Sequence, residues 1–540
     1  EWIIKKINID ILLEHALVNP GKSDLHTALH FCNILKVSYW EIVRNKAGEA
    51  LIKLMPQLSP EQRNEVAIEL LRALEIDGYK YAEYIPQYLG RIILTLKPVE
   101  LDELIQDLSD KIKLSSSQLN TLLLRTIGIA IVNYESYIEE YMEDENTYSE
   151  RLVKLVGIIL NGIGHYENTI KQIAFKVLGN EIFGSMDYSL YSKYEIFKIA
   201  GKKILTMLPD TSSDELLFLT CSAGIQCIYK FISEYIYNYG HIEIPEPNKI
   251  AFFPGTFDPF SLSHKEIART IRDMGFEVYL AVDEFSWSKQ TLPHLLRSNI
   301  INMSIADERD IYLYPDEHPI NLSNPEDLAF LRKSFKGTEV YIVVGSDVIN
   351  NASAYKREKS GNSIHSFHHI IFQRRLFNQN EDKVTLKNKI KNIQGDVVLL
   401  SLSPQFEDIS STQIRSNIDE NRDISMLIDP LVQKYIYENG FYQRQPADKH
   451  LLQTLSVDIQ IVNYINDDIV SKLYPLLPKN SPETINEIIK LSNKVNINVL
   501  LLSDINKPDR YLGFALFHET DVSNLYRDFG DKGMTQYIRE

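Results

Sequence analysis

The chain has 540 residues, and because one hydrophobic core stops growing at about 250–300 residues, about two to four domains are expected. A hydrophobic content of 44% with 24% charged residues is ordinary for a globular protein. The net charge of −16 argues against a broad surface for nucleic acid or an anionic membrane, since phosphates attract basic proteins.

Residues 1–242 are predicted to be all-helical. Residues 63–74 carry apolar side chains at Val66, Leu70 and Leu74, the spacing of a helix that buries one face. Further helices are predicted over residues 47–58, 84–96, 119–132, 151–163, 170–182, 194–208 and 216–237. Successive helices without strands favour a HEAT-like α-solenoid or an irregular bundle, and we expect this region to bind a protein partner.

Two prolines in residues 243–248 predict a linker, after which short apolar strands alternate with helices. Strands are predicted over residues 249–253, 277–282, 310–314, 339–344, 368–373 and 397–402. Helices are predicted over residues 265–274, 292–306, 326–335 and 384–391. The alternation predicts an α/β domain over residues 249–445 with a Rossmann-like, doubly wound parallel sheet. Such sheets bind ligands beyond the carboxyl ends of their strands.

The first of these strands runs directly into residues 254–259 (PGTFDP). Gly255 would let a phosphate approach the backbone closely. Ser263 and Glu266 have the spacing of a capping box, so a helix is predicted to begin at about His264. Its free N–H groups and positive dipole end favour an anion, and His264 would point at it. An incidental histidine after an ordinary turn is the alternative.

A second helix start follows the last strand, in residues 409–415 (ISSTQIR). Ser410 and Gln413 again have capping-box spacing, so hydroxyls, free N–H groups and the Arg415 guanidinium are presented together. A guanidinium holds phosphate oxygens through two parallel hydrogen bonds. A capped helix with a surface arginine is the alternative for this motif alone. Two such helix starts at strand ends favour a phosphate site.

The segment GTFDPFSLSH resembles the GTFDPxHxGH signature of the HIGH-type nucleotidylyltransferase superfamily, and ISSTQIR resembles the closing ISSTxxR signature. In this order and separation, the pair is similar to the nicotinate- or nicotinamide-nucleotide adenylyltransferase family. The segment Gly345-Ser346-Asp347 resembles that family's GxD motif. Residues 429–442 resemble its C-terminal stretch, so the resemblance extends over residues 249–442.

This resemblance implies that AMP is transferred from ATP to a pyridine mononucleotide, with release of pyrophosphate and with Mg²⁺ bridging phosphate oxygens. It implies catalytic roles for His264, Ser261 and Arg415, with His264 as an imidazolium that stabilises charge on the α-phosphate. It implies that ATP is bound by residues of the three motifs, namely Gly255, Thr256, Phe257, Gly345, Asp347, Ser410, Ser411, Thr412 and Arg415.

Four residues are candidates for binding the mononucleotide. Lys289 is expected to neutralise its phosphate or to be a solvated surface lysine. Arg297 is expected to contact the substrate or to lie on a helix surface. Tyr355 is expected to stack on the pyridine ring, and Trp287 is its rival for that role or a core residue.

Three residues depart from the family signature: Pro254 replaces its first glycine, Ser261 its first histidine and Ser263 a later glycine. The choice between acid and amide mononucleotide therefore stays open. A second hypothesis is a related nucleotidylyltransferase with another small phosphorylated acceptor, such as phosphopantetheine. A third is a nucleotide-binding scaffold or sensor without turnover.

Residues 455–540 are predicted to begin a smaller α/β domain. Strands are predicted over residues 458–462, 498–502 and 511–518, and helices over residues 467–476 and 483–494. Residues 513–517 (GFALF) resemble the central strand of GNAT acetyltransferases, but the sequence stops before an acetyl-CoA loop. We therefore expect an incomplete GNAT-like domain, or an unrelated α/β appendage, within a piece of a longer protein.

The three cysteines show no metal-binding spacing and are interpreted as buried apolar residues in a reducing compartment, so no protein metal site is expected. The longest apolar runs, such as residues 127–132, are shorter than the about 20 residues that span a bilayer. No signal-peptide pattern opens the sequence. These features predict a cytoplasmic protein that does not contact membranes.

Overall fold

The N-terminal helices form where apolar residues recur every three or four positions behind a polar cap. Helix α4 (Pro60–Glu75) shows both features. The Ser59 side chain accepts a hydrogen bond from the backbone N–H of Gln62, and the Gln62 side chain accepts one from the Ser59 N–H. Its Val66 and Leu70 are completely buried against neighbouring helices.

The computed structural model describes residues 1–21, 24–76, 80–208, 215–244, 246–283, 291–315, 318–356, 361, 363–372, 389–407, 409–443, 457–462, 466, 469–470, 498–504 and 507–517. Glu1–Tyr442 form one compact unit and Gln443–Glu540 another. The first unit begins with α1 (Trp2–Val18), α2 (Asp24–Val37), α3 (Glu41–Leu54), α4, α5 (Pro86–Ile92), α6 (Pro98–Leu114), α7 (Ser117–Asn133), α8 (Glu135–Tyr141), α9 (Glu145–Gly164), α10 (Asn168–Lys176) with a π-helical end (Val177–Phe183), α11 (Leu190–Met207) and α12 (Glu215–Tyr239).

Helices that are close in the sequence pack against one another here, for example α1 against α3, α5 against α7 and α9 against α11. The mostly helical character of the region is confirmed, whereas the solenoid and the bundle both stay predictions. The sequence-based assignment lacks α1, α2, α6 and α8. In α1, exposed apolar residues such as Ile4 and Ile11 accompany the buried Ile9, which hides the helical period.

By length and composition, helix α12 is long and apolar enough to cross a membrane. The apolar runs of the sequence did not indicate this. Only 28% of its most apolar window is buried. Core helices meet the same criteria, and Leu217, Cys221 and Phe231 of α12 are buried. Length and composition therefore do not decide between the two, and the absence of membrane contact stays a prediction.

Six strands after the linker form one parallel sheet in the order β3-β2-β1-β4-β5-β6. They are β1 (Lys249–Gly255), β2 (Glu277–Val282), β3 (Ile311–Leu313), β4 (Glu339–Gly345), β5 (His368–Phe372) and β6 (Val397–Leu400). Ala251 and Phe253 of β1 face one core and Phe252 faces the other, as expected for a sheet covered on both faces. The predicted Rossmann-like parallel sheet is confirmed, and its strand order reverses between β1 and β4.

The described helices of this region are α13 (Leu262–Asp273), α14 (His294–Ile305), α15 (Pro325–Ser334), α16 (Ser346–Asn351), α17 (Pro404–Glu407), α18 (Ser411–Asp419) and α19 (Pro430–Asn439). Apolar residues of α13, α14, α18 and α19 form the core on one face of the sheet. Those of α15 and α16 belong to the core on the other face. The predicted helix over residues 384–391 lies largely outside the described residues.

The second unit contains three antiparallel strands in the order β7-β8-β9: β7 (Val457–Val462), β8 (Asn498–Asp504) and β9 (Lys507–Phe517). The buried residues Ile469, Val499 and Leu501 form its small described core. The helices predicted over residues 467–476 and 483–494 fall almost entirely outside the described residues. The GNAT-like assignment therefore stays a prediction.

A buried histidine connects the fold to pH. His369 of β5 is fully buried, with Nδ1 3.0 Å from the Phe367 carbonyl and Nε2 2.9 Å from the Tyr355 hydroxyl. A carbonyl can only accept, so Nδ1 carries the hydrogen and Nε2 accepts from Tyr355. Burial lowers the pKa of His369 to about 4.

We predict that the free energy of unfolding falls as the pH is lowered from about 6.5 to about 4. In that interval the unfolded chain binds a proton at residue 369 that the folded chain refuses, which costs up to about 1.4 kcal/mol per pH unit. Urea denaturation at several pH values gives the change of the free energy of unfolding with pH. This change should be smaller in His369→Gln than in the native chain. Burial also lowers the pKa of His165, to about 3, so part of the pH dependence remains in the variant. An unchanged pH dependence in His369→Gln would contradict its attribution to His369.

Candidate active site

The strand order places two predicted motifs side by side. β1 and β4 are parallel neighbours, and they end at Gly255 and Gly345, the first residues of the GTFDP and GxD segments. A parallel sheet binds its ligands in the crevice beyond the strand ends where the order reverses. The sequence motifs therefore meet at the expected ligand-binding edge.

Helix α13 begins two residues earlier than its sequence predicted, because a different serine caps it. Ser261 is the N-cap residue: its Oγ accepts from the backbone N–H of His264, and its own N–H donates to His264 Nδ1 at 3.1 Å. The predicted pair of Ser263 and Glu266 lies inside the helix instead. The Ser263 hydroxyl is buried and has no partner among the described atoms.

The reciprocal cap also fixes the imidazole of His264. A backbone N–H can only donate, so Nδ1 must accept from Ser261, and the Ser261 hydroxyl lies 2.9 Å from the same nitrogen. The ring is 7% exposed and packs against Phe257 and Phe260. In this arrangement Nδ1 accepts, so the ring hydrogen is on Nε2, and the charge-stabilising role expected of His264 stays a prediction.

The second helix start forms as predicted at Ser410. Its Oγ accepts from the backbone N–H of Gln413, so the N-terminus of α18 is capped. The next hydroxyl, that of Ser411, donates to the Pro259 carbonyl at 2.9 Å. Ser411 therefore joins α18 directly to the loop that leads into α13, across more than 150 residues of sequence.

Arg415 is held by the same loop. Its guanidinium donates to the Asp258 carbonyl, lies 3.6 Å from the Asp258 carboxylate and donates to Thr412 Oγ1 at 3.4 Å. Its side chain is 29% exposed, so it keeps access to solvent on one side. Arg415 thus has a structural role that the sequence did not indicate, and the phosphate-binding role expected of it stays a prediction.

Two further predicted residues shape the loop. Phe257 has a left-handed backbone (φ 46°) and is 3% exposed, and its ring lies where a side chain at Gly255 would be, 2.7 Å from an ideal Cβ. Arg297 is 4% exposed and donates to the carbonyls of Thr256 and Leu292 at 2.8 and 2.9 Å. Arg297 is therefore not a surface charge, because its buried guanidinium bonds the backbone of the loop.

At the end of β4, Gly345 is the N-cap residue of the short helix α16. A Cβ at this position would come within 2.3 Å of Asp347 Oδ1, so the carboxylate folds back over the glycine. Asp347 is partly exposed. The GxD segment thus presents a carboxylate at the carboxyl end of the strand next to β1.

The structure changes the expectation for Tyr355, which is 8% exposed, belongs to the core behind the sheet and donates its hydroxyl to His369. A ring in this position is packed against protein and is not presented for stacking on a pyridine. Its rival Trp287 and the candidate Lys289 lie outside the described residues.

Comparison with known proteins agrees with this geometry. A family model described as cytidylyltransferase-like matches residues 252–417, from β1 into α18. The matched residues 252–417 therefore belong to a nucleotidyltransferase-like domain. "Probable nicotinate-nucleotide adenylyltransferase" of Flavobacterium psychrophilum is 27% identical over 206 residues, which are 36% of this chain and 100% of that protein.

Two further matches extend over the same share of the chain. "Probable nicotinate-nucleotide adenylyltransferase" of Clostridium perfringens is 27% identical over 213 residues, 36% of this chain and 99% of that protein. A solved structure of "Plasmodium falciparum nicotinic acid mononucleotide adenylyltransferase complexed with APC" is 18% identical with a TM-score of 0.30, and the match covers 36% of this chain and 97% of that one.

Sequence reasoning missed the group that joins these parts. The Asp258 carboxylate is 2% exposed and accepts from the Tyr442 hydroxyl at 2.6 Å and the Leu292 N–H at 3.2 Å. Both Asp258 and Tyr442 lie in segments that resemble the family, yet nothing in one sequence pairs residues so far apart. The loop between β1 and α13 is thus closed by Tyr442, which follows α19.

The donor set of this site suits phosphate better than a protein-bound metal. The described residues contain no group of three or more His, Cys, Asp or Glu side chains able to hold a metal ion. Asp258 already has hydrogen-bond or ionic partners at both carboxylate oxygens. Helix N–H groups and Arg415 are donors for anions. A magnesium ion that arrives on a nucleotide keeps most of its waters and needs few protein ligands.

We predict that Tyr442→Phe lowers the free energy of unfolding by about 1–3 kcal/mol, because it deprives a buried carboxylate of a charge-assisted hydrogen bond. Urea denaturation followed by circular dichroism measures the loss. Tyr437→Phe is the matched control, since Tyr437 lies on the nearby α19 but is 38% exposed. Equal midpoints for the two variants would show that the Tyr442 hydroxyl contributes no stability.

Proposed function

We propose that the nucleotidyltransferase domain transfers AMP from ATP to nicotinate or nicotinamide mononucleotide, with release of pyrophosphate, as a step of NAD synthesis. One observation carries the proposal: two capped helix starts, at Ser261 and Ser410, are tied to a single loop at the point where the strand order reverses. The start of α18 offers backbone N–H groups to an anion, whereas the N–H groups of Leu262 and His264 at the start of α13 already donate to the Leu427 carbonyl and to Ser261 Oγ. The names of the similar proteins support the choice of acceptor.

In the proposed reaction, an oxygen of the 5′-phosphate of the mononucleotide attacks the α-phosphorus of ATP. The bond between the α-phosphorus and the oxygen that joins it to the β-phosphorus breaks, and pyrophosphate leaves with the electron pair. The reaction needs positioning and charge stabilisation more than a protein nucleophile. Magnesium bound to the triphosphate supplies additional neutralisation of the phosphate charge.

His264 is suited to stabilise the α-phosphate. With Nδ1 accepting from Ser261, the donor atom of the ring is Nε2, and we propose that Nε2 donates to a phosphate oxygen. The ring cannot turn without breaking its cap, so the donor is fixed before the substrate arrives. Such a fixed donor stabilises the charge that develops in the transition state. Ser261 then acts through His264 by setting its position.

The start of α18 is suited to hold the β- and γ-phosphates that leave as pyrophosphate. Its first backbone N–H groups have no partners within the helix, apart from the one capped by Ser410. Thr412 is exposed beside them, and Arg415 offers N–H groups that its contacts with Asp258 and Thr412 do not use. A negatively charged leaving group would be stabilised by all three donors.

A second acceptor class has specific support. The burial of Tyr355 removes the described aromatic side chain that was expected to stack on a pyridine ring. Ser261 stands where the resembled signature has a histidine. Both observations favour a related transfer to another small phosphorylated compound, such as phosphopantetheine, as the alternative.

Pyrophosphate release from ATP should be measured with nicotinate mononucleotide, nicotinamide mononucleotide and phosphopantetheine, each in a separate reaction of the full chain. We expect turnover with at least one of the two pyridine mononucleotides. Turnover with phosphopantetheine alone would establish the second acceptor class. Measurable ATP binding without release for any acceptor would reject the enzyme and leave a nucleotide-binding scaffold or sensor.

We predict that His264→Ala lowers kcat at least about 100-fold, the effect of losing a fixed donor to the transition state. His318→Ala is the control, because His318 is an exposed histidine of the same domain. Thermal unfolding of both variants shows whether the domain remains folded. A folded His264→Ala variant with a near-native rate would remove His264 from the mechanism.

A further inference from the structure

The N-terminal helical region holds helix α19 of the nucleotidyltransferase domain at both ends. At the N-cap of α19, Lys113 on α6 lies 3.1 Å from the Asp429 carboxylate, and both side chains are largely buried. Near its C-terminus, the Tyr166 hydroxyl donates to Glu438, and the Tyr166 ring packs on Tyr435 at 5.0 Å. Helix α19 is therefore fixed from outside its own domain.

A compact cluster of charges joins the same helical region to α13. Lys113 lies 3.6 Å from Asp307, and Lys265 on α13 lies 3.5 Å from Asp307, 3.1 Å from Glu308 and 3.9 Å from Asp429. The Lys265 side chain is only 5% exposed. Charges that are shielded from water interact strongly and depend on each other for pairing. Lys265 directly follows His264 in the sequence.

Two hydrogen bonds connect α19 to the phosphate-binding loop. The Leu427 carbonyl, two residues before Asp429, accepts from the N–H of Leu262, the first residue of α13. After the end of α19, Tyr442 donates to Asp258 inside the loop. Movement of α19 would therefore act on both the helix start that carries His264 and the loop that precedes it.

We propose that the helical region is part of the catalytic scaffold, and that Lys113 and Tyr166 are positioning residues for the nucleotidyltransferase reaction. They hold α19 and α13, and through these helices they set His264 and the Asp258 loop. The proposal rests on the proposed function for its kinetic consequences. Its structural consequence, protection of the loop and of the start of α13, does not depend on which acceptor is used.

The loss of Lys113 should act on kcat more than on KM. Lys113 pairs with Asp307 and Asp429 and not with the loop or helix starts that would hold the substrates. A displaced His264 would still leave the helix N–H groups able to bind phosphate, but it would stabilise the transition state less well. Small misplacements of a catalytic group carry large rate penalties, and an effect confined to the transition state appears in kcat.

The experiment compares Lys113→Met, Lys113→Arg and Lys111→Met in the full chain. Lys111 lies on the same helix and pairs with Glu75 and Asp107, both within the helical region, so its loss is a matched control. We expect Lys113→Met to lower kcat at least about 10-fold with KM values within about 3-fold. Lys113→Arg should restore most of kcat, and Lys111→Met should match the native chain.

Hydrogen–deuterium exchange gives a readout that is independent of turnover. In Lys113→Met, amides of residues 254–264 and 427–431 should exchange at least about 10-fold faster, while Lys111→Met leaves them unchanged. If the native chain turns over no acceptor, the proposed function fails while exchange still decides the positioning role. Native exchange together with native kcat in Lys113→Met would overturn the proposal, as would equal effects in both lysine variants.

A milder variant covers a failure of Lys113→Met to fold. Tyr166→Phe removes the hydroxyl that bonds Glu438 and keeps the ring that packs on Tyr435. Faster exchange of residues 254–264 in this variant would support the coupling through α19. Unchanged exchange in Tyr166→Phe, alongside an unfolded Lys113→Met, would mean that the contacts only hold the two regions together, and the positioning role would be rejected.

Discussion

The site depends on the hydrogen bonds and the opposite charge that surround the buried carboxylate of Asp258. A charge removed from water is tolerated only where hydrogen bonds and an opposite charge replace its hydration. Here the replacements are the Tyr442 hydroxyl, the Leu292 N–H and the guanidinium of Arg415. These partners come from three separate parts of the chain. Satisfying one carboxylate therefore closes the loop between β1 and α13 and fixes the start of α18 beside it.

Some residues around this loop hold its backbone in place, and others face the crevice where a ligand would bind. Arg297 and Phe257 are buried beneath the backbone, and Ser411 bonds the Pro259 carbonyl. Toward the crevice, the start of α18 presents helix N–H donors and the exposed part of Arg415, and the partly exposed carboxylate of Asp347 lies at the end of β4. The N–H donors and the guanidinium favour an anion locally, even though the chain as a whole carries a net charge of −16.

The helical region and the sheet belong to one compact unit in spite of the proline-containing segment between them. The two regions share buried charges, since Lys113 of the helical region pairs with Asp307 and Asp429, which Lys265 also contacts. Where neighbouring helices exclude water, loss of one partner of such a pair leaves the other charge buried without compensation. The linker signal in the sequence marks a change of architecture. It does not show whether the two architectures separate in space.

By itself, the sequence determined the local elements and the chemistry at two helix starts. Apolar periods predicted most of the helices and all six parallel strands, and the GTFDP and ISST segments predicted phosphate binding, because spacing and caps are local properties. Tertiary structure decided which serine caps α13, that Tyr355 is a core residue, and that Tyr442 and Lys113 support the site. The roles of Tyr442 and Lys113 depend on partners more than a hundred residues away, and that of Tyr355 depends on burial in the core, for which a single sequence contains no local signal.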